Sequence, residues 1–493
     1  MATSTTEQRF EFPTLGLAVG GSALLLAIDD HLLPLRRNLC LSMAKPHVRA
    51  EPVLTPQRTI PHAPDRIATH FYGAVLQEQD RFRMWYYPVA LGDAPGELTQ
   101  GPVCYAESTD GLVWQRPVLG QMEFKGSRDN NAIALPETKI EGVHVIRDDD
   151  DPDPGRRYKM IYNPHTGRFW SIRTATSADG ITWQPGPELP VTEFVEQASF
   201  YKHAGLYVVN AQTISPWHYS DGGAPMGRQA YAWVSPDFDT WLDETVESFT
   251  LPEPRNPEER GPRKPYDQVH IGIGAASFGT VLVGMFGLWH NSPVFHEITC
   301  DLSLVVSNDG LHFREPVKGG IFIAADESPA PPVDGVQHPT ILAQGNGILN
   351  VGDETWIYHD RWRNAPYGED YYSEVALATL PRDRWGALGL NPDQSQGSVW
   401  SAPFRVPAGG FTLLLNADGA HGMQVELGDE SFTLLPAFSG EQSGRSSVAG
   451  GLDCAVAWPA GDTAALAGQR VRLRVRMTRA PGVEPRLYAM SLQ

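Results

Sequence analysis

Cysteine is scarce and scattered. Cys40, Cys104, Cys300 and Cys454 are spread through 493 residues without a CxxC pair or metal-finger spacing. That excludes a disulfide scaffold and a zinc ribbon, and it leaves buried free thiols in a reducing compartment as the expectation. Positive charge is also short: 39 Lys and Arg stand against 58 Asp and Glu, a net charge of −19. A balance of that sign excludes phosphate backbones and anionic membrane surfaces as natural partners. Long apolar runs are missing too. The stretch 15–28 is broken by glycines, follows Glu7 and Glu11 and lacks a basic flank. It suits neither a membrane span nor an export signal, so a cytoplasmic protein is expected. At this length one core is too few, and two domains are the natural organisation.

What is present is an internal repeat. Ser108-Thr-Asp110-Gly111-Leu-Val-Trp114 returns as Ser177-Ala-Asp179-Gly180-Ile-Thr-Trp183, as Ser235-Pro-Asp237-Phe238-Asp-Thr-Trp241 and as Ser307-Asn-Asp309-Gly310-Leu-His-Phe313. The serines are 69, 58 and 72 residues apart, which suits a four-stranded propeller blade rather than a solenoid unit. Asp-Gly supplies a positive-φ turn, and the aromatic three residues later folds back to pack on the blade. Alternating, β-rich runs precede each phrase, as at 72–76, 82–87 and 103–107 in the first blade. A fifth unit has its phrase worn down to Leu380-Pro-Arg-Asp-Arg-Trp385-Gly386.

After residue 400 the phrase disappears and short alternating strands take over, including the stripe Arg470, Arg472, Arg474 and Arg476. Period-two arginines read as a solvated sheet face. The expected fold class is therefore all-β, a five-bladed β-propeller followed by a C-terminal β-sandwich. The expected boundaries are a flexible 1–22, a propeller over 23–400 closed by an N-terminal strand, and a sandwich over 401–493.

This architecture resembles the glycoside hydrolases of families 32, 43 and 68, and in particular a branch labelled by its family 32 N-terminal domain. The likeness rests on Ile28-Asp29-Asp30-His31-Leu32, Met84-Trp85-Tyr86, Cys104-Tyr105-Ala106-Glu107-Ser108, Arg157-Tyr158-Lys159-Met160 and Leu415-Asn416-Ala417-Asp418. It implies a carbohydrate-active enzyme. The Asn-Asp-Pro-Asn nucleophile stretch of family 32 is absent, Arg147-Asp148 is followed by Asp149 where that family has Pro, and Glu196-Gln197 stands where it has Glu-Cys.

Cleaving a glycosidic bond needs two carboxyl groups, one protonated and one ionised. In a propeller these come from the starts of inner strands on different blades. That rule selects Asp30 (or Asp29), Asp149 (or Asp148), Glu196 and Asp267 as catalytic candidates, with Asp334 or Glu374 possible contributors from the fifth blade. The aspartates of the repeated phrase are turn residues. Aromatic, Arg and His side chains near second-strand ends make Trp217, Trp289, His290, Arg361 and Tyr372 the candidate sugar-binding set. His70, His144, His270 and His338 stand at similar levels in four blades, which allows a divalent metal ion at the axis.

The expected function is hydrolysis of a small glycoside or oligosaccharide, furanosides included, with a small-molecule carbohydrate as partner and no cofactor required. Two other readings fit the same scaffold. One is a metal-dependent lyase, isomerase or cyclase built on the histidines, and the other is a non-catalytic glycan-binding propeller.

Overall fold

The computed structural model describes residues 8–167, 170–191, 194–214, 227–261, 263–459 and 461–493. Among them the regular elements are β-strands and short 3₁₀ turns, and no helix is long and apolar enough to cross a membrane.

Five antiparallel units follow one another. The first is built on Ala68–Gln77, Phe82–Leu91 and Cys104–Ser108. The second runs Ile140–Arg147, Tyr158–Pro164, Arg173–Ser177 and Gln184–Glu188. The third is Glu196–His203, Leu206–Ile214, Arg228–Ser235 and Val246–Phe249. The fourth comprises Asp267–Ser277, Leu282–His290, Thr299–Ser307 and Ile321–Ile323. The fifth has a first strand interrupted between Thr340–Ala343 and Ile348–Val351, then Glu354–Arg363 and Tyr372–Pro381. Its outer strand comes from the N-terminal side, where His47–Val48 pairs with Tyr372–Pro381 and Leu54 bridges to Val375. A segment on the N-terminal side, 47–54, thus completes the fifth unit.

Apolar clusters occupy the spaces between successive units. Trp85, Val145 and Met160 join the first and second, and Ile161, Val209 and Trp233 the second and third. Tyr201, Ile273 and Phe286 join the third and fourth, and Met285, Leu304 and Ile357 the fourth and fifth. Phe71, Met84, Trp356 and Tyr358 join the fifth back to the first. The five first strands also line one small central cavity at their C-terminal ends, where Val75, Val145, Phe200, Ala275 and Ile348 meet.

The repeated phrase shows why these units form. Ser108 Oγ accepts the Gly111 N–H at 2.9 Å, and Asp110 Oδ1 accepts those of Leu112 and Val113 at 2.8 and 2.9 Å. Trp114 Nε1 donates back to the Gly111 carbonyl at 3.0 Å. These backbone amides hold the Asp110 carboxyl below its usual range, as a side chain closing a turn requires. Gly111, Gly180 and Gly310 take φ of 72°, 73° and 78°, and Phe238 is forced to 73° at the same place in the third unit. The turn also links neighbours. Trp85 donates to the Gly180 carbonyl, Tyr201 to that of Gly310 and Tyr358 to that of Gly111, at 3.0, 2.7 and 2.8 Å.

The remaining strands form two seven-stranded sheets around one core that includes Phe10, Leu25, Phe404, Leu415, Leu473 and Met490. Their membership differs from the expected division at 401. Arg9–Phe12 pairs with Phe404–Arg405, Ala23–Leu26 with Arg486–Leu492, and Leu39–Met43 with Gly386–Leu390. The alternation of short N-terminal strands carried no mark of which sheet would receive them. Along Arg470–Thr478 the alternation is seen, with Val471, Leu473, Val475 and Met477 buried, but the arginine face is not fully solvated: Arg472, Arg474 and Arg476 are half-buried, Arg472 over the Phe432 ring and Arg474 over that of Trp400.

Candidate active site

The first strands of four units are bulged, and the bulges build the site. Pairing with the neighbouring strand slips between His70 and Ala74, Ile140 and Val143, Gln197 and Ser199, and His270 and Ile273. A bulge leaves backbone groups unpaired and re-aims side chains, which is why bulges gather at active sites. Amide side chains take up the freed groups. Asn210 Oδ1 accepts Ile273 N–H, Gln212 Oε1 accepts Ile271 N–H, and Gln344 donates to the carbonyls of His270 and Gly272. Ile271 is held at φ 52°, a left-handed conformation that costs a β-branched residue on the order of 1–3 kcal/mol.

Glu141 lies within the second unit's bulge and Glu196 opens the third unit's first strand. Both retain some solvent exposure. Tyr72, Tyr87 and Tyr367 surround them, and burial together with the two nearby carboxylates pushes all three phenols up. Burial raises the Glu141 carboxyl well above its ordinary range, and the charge of Glu196 raises it further. Glu141 Oε2 is buried without a hydrogen-bond partner. Glu196 is also raised by burial, but it is moderated by the Arg228 guanidinium and by the amide N–H it accepts from Gln212. The pair therefore titrates in two steps, with Glu196 ionising first and Glu141 keeping the proton.

Arg228 starts the third strand of its unit, and its guanidinium lies over the Trp289 ring, 4.6 Å from the centroid. Arg228, Trp289 and Tyr367 also line a cavity of about 500 Å³. Beside Trp289 lies His270, whose Nε2 is 3.3 Å from the Tyr72 hydroxyl. Burial and the neighbouring Arg228 charge push His270 well down, so it is neutral. His70 Nδ1 donates to Asp360 at 2.6 Å, which makes its Nε2 the acceptor for the Tyr371 O–H at 2.7 Å. Ser373 donates to the other Asp360 oxygen.

Of the residues selected from sequence, Glu196, Trp289, His70 and His270 come together here. Asp267 and His290 sit at the edge. His290 bridges Asp267 and Asp301 at 2.9 and 3.0 Å, and these two hydrogen bonds raise its pKa to about 9. With its Asp267 side chain 55 % exposed, this is a surface ion pair rather than a poised acid.

The other candidates lie elsewhere. Asp149 follows the far end of the strand that carries Glu141, so strand rise puts roughly 25 Å between them. It is 66 % exposed and paired with Arg147. Asp30 is 63 % exposed and paired with Arg314 beside the fourth repeat, where buried Asp29 accepts from Asn308 and Arg314. Arg361 points away from Asp360 and is used in a buried pair with Glu374, which also accepts the Tyr372 hydroxyl. Trp217 lies outside the described residues.

Nor do the histidines converge on a metal. Among the described residues no three His, Cys, Asp or Glu side chains gather as a metal-ion site. His144 is fully buried, neither ring nitrogen makes a well-formed hydrogen bond, and burial pushes it down to about 3. His338 lies ahead of Thr340–Ala343 in the broken strand of the fifth unit. Equal positions along bulged strands do not give equal side-chain directions, because each extra residue reverses the alternation.

Sequence reading missed Glu141 and Arg228. A signal for the first was present: Ile140-Glu141 and Val195-Glu196 put a Glu after an apolar residue at the start of consecutive first strands. Nothing in the local sequence marks Arg228.

No family model matches the chain. Over 144 residues it is 27% identical to the uncharacterized protein Rv1502 of Mycobacterium tuberculosis (strain ATCC 25618 / H37Rv), covering 27% of this chain and 43% of the relative. Uncharacterized protein MT1551 of strain CDC 1551 / Oshkosh matches to the same extent. The chain thus spans less than half the length of these curated relatives. Among solved structures, a glycoside hydrolase aligns with a TM-score of 0.44 and 13% identity over 68% of this chain and 92% of the other. The β-1,2-mannobiose phosphorylase from Listeria innocua, in complex with β-1,2-mannobiose, aligns with a TM-score of 0.44 and 13% identity over 69% and 97%. A structure from the GH130 family, described as mannoside phosphorylases that include glycoside hydrolases targeting β-1,2 mannosidic linkages in Candida mannan, gives 0.43 and 14% over 69% and 95%.

Proposed function

We propose that the five units form a five-bladed β-propeller, that the paired sheets form a β-sandwich beside it, and that the protein cleaves glycosidic bonds in a small saccharide. The observation that carries this reading is the carboxyl pair Glu141 and Glu196, unequal in proton affinity and enclosed by Tyr72, Tyr87 and Tyr367. Two adjacent acids in a low-dielectric site cannot both ionise cheaply, so one proton is retained at neutral pH. Glu141 holds that proton and gives it to the leaving oxygen, while ionised Glu196 acts on the other reacting group. Arg228 favours the charged form of both carboxyls and the amide N–H from Gln212 favours that of Glu196 alone, while Trp289 and Tyr367 supply ring faces for sugar stacking. The Asp360–His70–Tyr371 chain holds the Tyr371 hydroxyl in place.

A panel of aryl glycosides and small oligosaccharides tests this. Glu141→Gln and Glu196→Gln should each lower kcat by about 10²–10⁴ while the fold persists. The Glu141→Gln loss should shrink on substrates whose leaving group needs no protonation. Turnover that survives both substitutions in folded protein refutes the assignment.

A further inference from the structure

The cavity beside the acid pair is cationic in a strongly anionic protein. Arg228, Arg263 and His296 line it together with Trp289, Phe295 and Tyr367, and no described Asp or Glu side chain does. The chain as a whole carries −19. Several buried or half-buried arginines elsewhere are matched by carboxylates, as Arg116 is by Asp65, Arg314 by Asp29 and Arg361 by Glu374, whereas buried Arg363 lies over the Tyr372 ring without an ion pair among the described residues. Arg228 belongs with the unmatched ones. It is half-buried, its guanidinium rests on the face of Trp289, and among the described residues no carboxylate is in ion-pair contact with it.

An indole face fixes the guanidinium plane and leaves its N–H edge free, an arrangement suited to a planar two-oxygen acceptor. The rest of the wall combines the polar side chains of Asn291 and Ser292 with the rings of Phe295 and Tyr367 around a space large enough for a sugar. We propose that this cavity binds a saccharide bearing a carboxylate, a uronic acid unit, with the carboxylate on Arg228 and the pyranose ring against the aromatic wall. This rests on the carbohydrate reading above and names its substrate class. A carboxylate fits better than a phosphate dianion, because ionised Glu196 is near enough to feel Arg228 and would repel the second charge.

The test is equilibrium binding, followed by Trp fluorescence and calorimetry, with D-glucuronate and D-galacturonate against D-glucose, D-galactose and inorganic phosphate. At least one uronate should bind about tenfold or more tightly than its neutral counterpart, and Arg228→Gln should remove that preference. Arg228→Lys should restore it only in part. Equal affinity for uronates and neutral sugars, a preference that survives Arg228→Gln, or phosphate binding more tightly than both uronates overturns the proposal. Glu141→Gln separates it from the catalytic reading, because uronate preference should persist in that variant whatever happens to turnover.

Discussion

Replacing Glu141 with Gln keeps the side chain's shape and removes the charge that its surroundings penalise, so the variant should be more stable than the parent by a margin that depends on pH. Burial and Glu196 raise the Glu141 carboxyl well above its ordinary value of 4.5. The sign follows from linkage. A carboxyl with a raised folded pKa binds its proton more tightly when folded, so its penalty is absent below the ordinary value and grows as pH rises towards the folded pKa. In that window the parent should lose up to about 1.4 kcal/mol per pH unit relative to Glu141→Gln. At about 2.1 cal/mol/K per residue, a chain of 493 residues melting as one unit has an unfolding entropy of about 1 kcal/mol/K. The expected gap in Tm therefore opens by about 1 °C per pH unit, and thermal melts of both proteins from pH 4.5 to 8 read it. A gap that stays constant with pH, or a parent that is the more stable protein at pH 8, refutes the buried acid pair.

Asp148 accepts from Lys202 at 2.8 Å, lies 3.4 Å from buried Lys159 and also accepts the Tyr207 hydroxyl. Asp148→Asn should cost about 3 kcal/mol in urea denaturation, whereas Asp149→Asn, which breaks an exposed pair, should stay within about 0.5 kcal/mol; equal effects would count against the difference in burial. His290 should titrate by NMR with a midpoint of about 9, and Asp301→Asn should bring it back towards 6.5. Because that pKa is raised, the stability His290 contributes is complete below 6.5 and lost as pH rises through about 9, and an unshifted midpoint would remove the ion pair. Gly111 has φ 72°, and a Cβ there would stand 2.6 Å from Trp356 and 2.7 Å from the Tyr358 hydroxyl. Gly111→Ala should destabilise by at least ~1 kcal/mol, while Gly205→Ala, at φ 84° with open space around it, should lose only the smaller backbone cost; a neutral Gly111→Ala would show that the repeat turn does not join the fifth and first units.

The repeat was legible because its chemistry is local. Ser108, Asp110, Gly111 and Trp114 satisfy one another within seven residues, so the pattern survives in the sequence and can be read there as a turn. The strands preceding each phrase were legible for the same reason, since alternation and β-branched or aromatic content act over neighbouring residues. The acid pair was half legible. Glu196 stands at a strand start, but its partner Glu141 is 55 residues earlier in a different unit, and only the bulge at Ile140–Val143 turns it inward. Asp149 satisfied the same sequence rule and lies at the opposite end of that strand.

By itself, then, the sequence determined the all-β character, the spacing of the first four repeats, the decayed fifth, and the turn role of Asp110, Asp179 and Asp309. Tertiary structure alone decided which N-terminal strands enter the paired sheets, which segment completes the fifth unit, and which side chains share the site. The physical reason is range. Turns and strands are set by φ, alternation and hydrogen bonds between near neighbours, whereas Glu141, Glu196, Arg228 and Trp289 meet through bulges and inter-unit packing, where a single extra residue reverses the direction of a side chain.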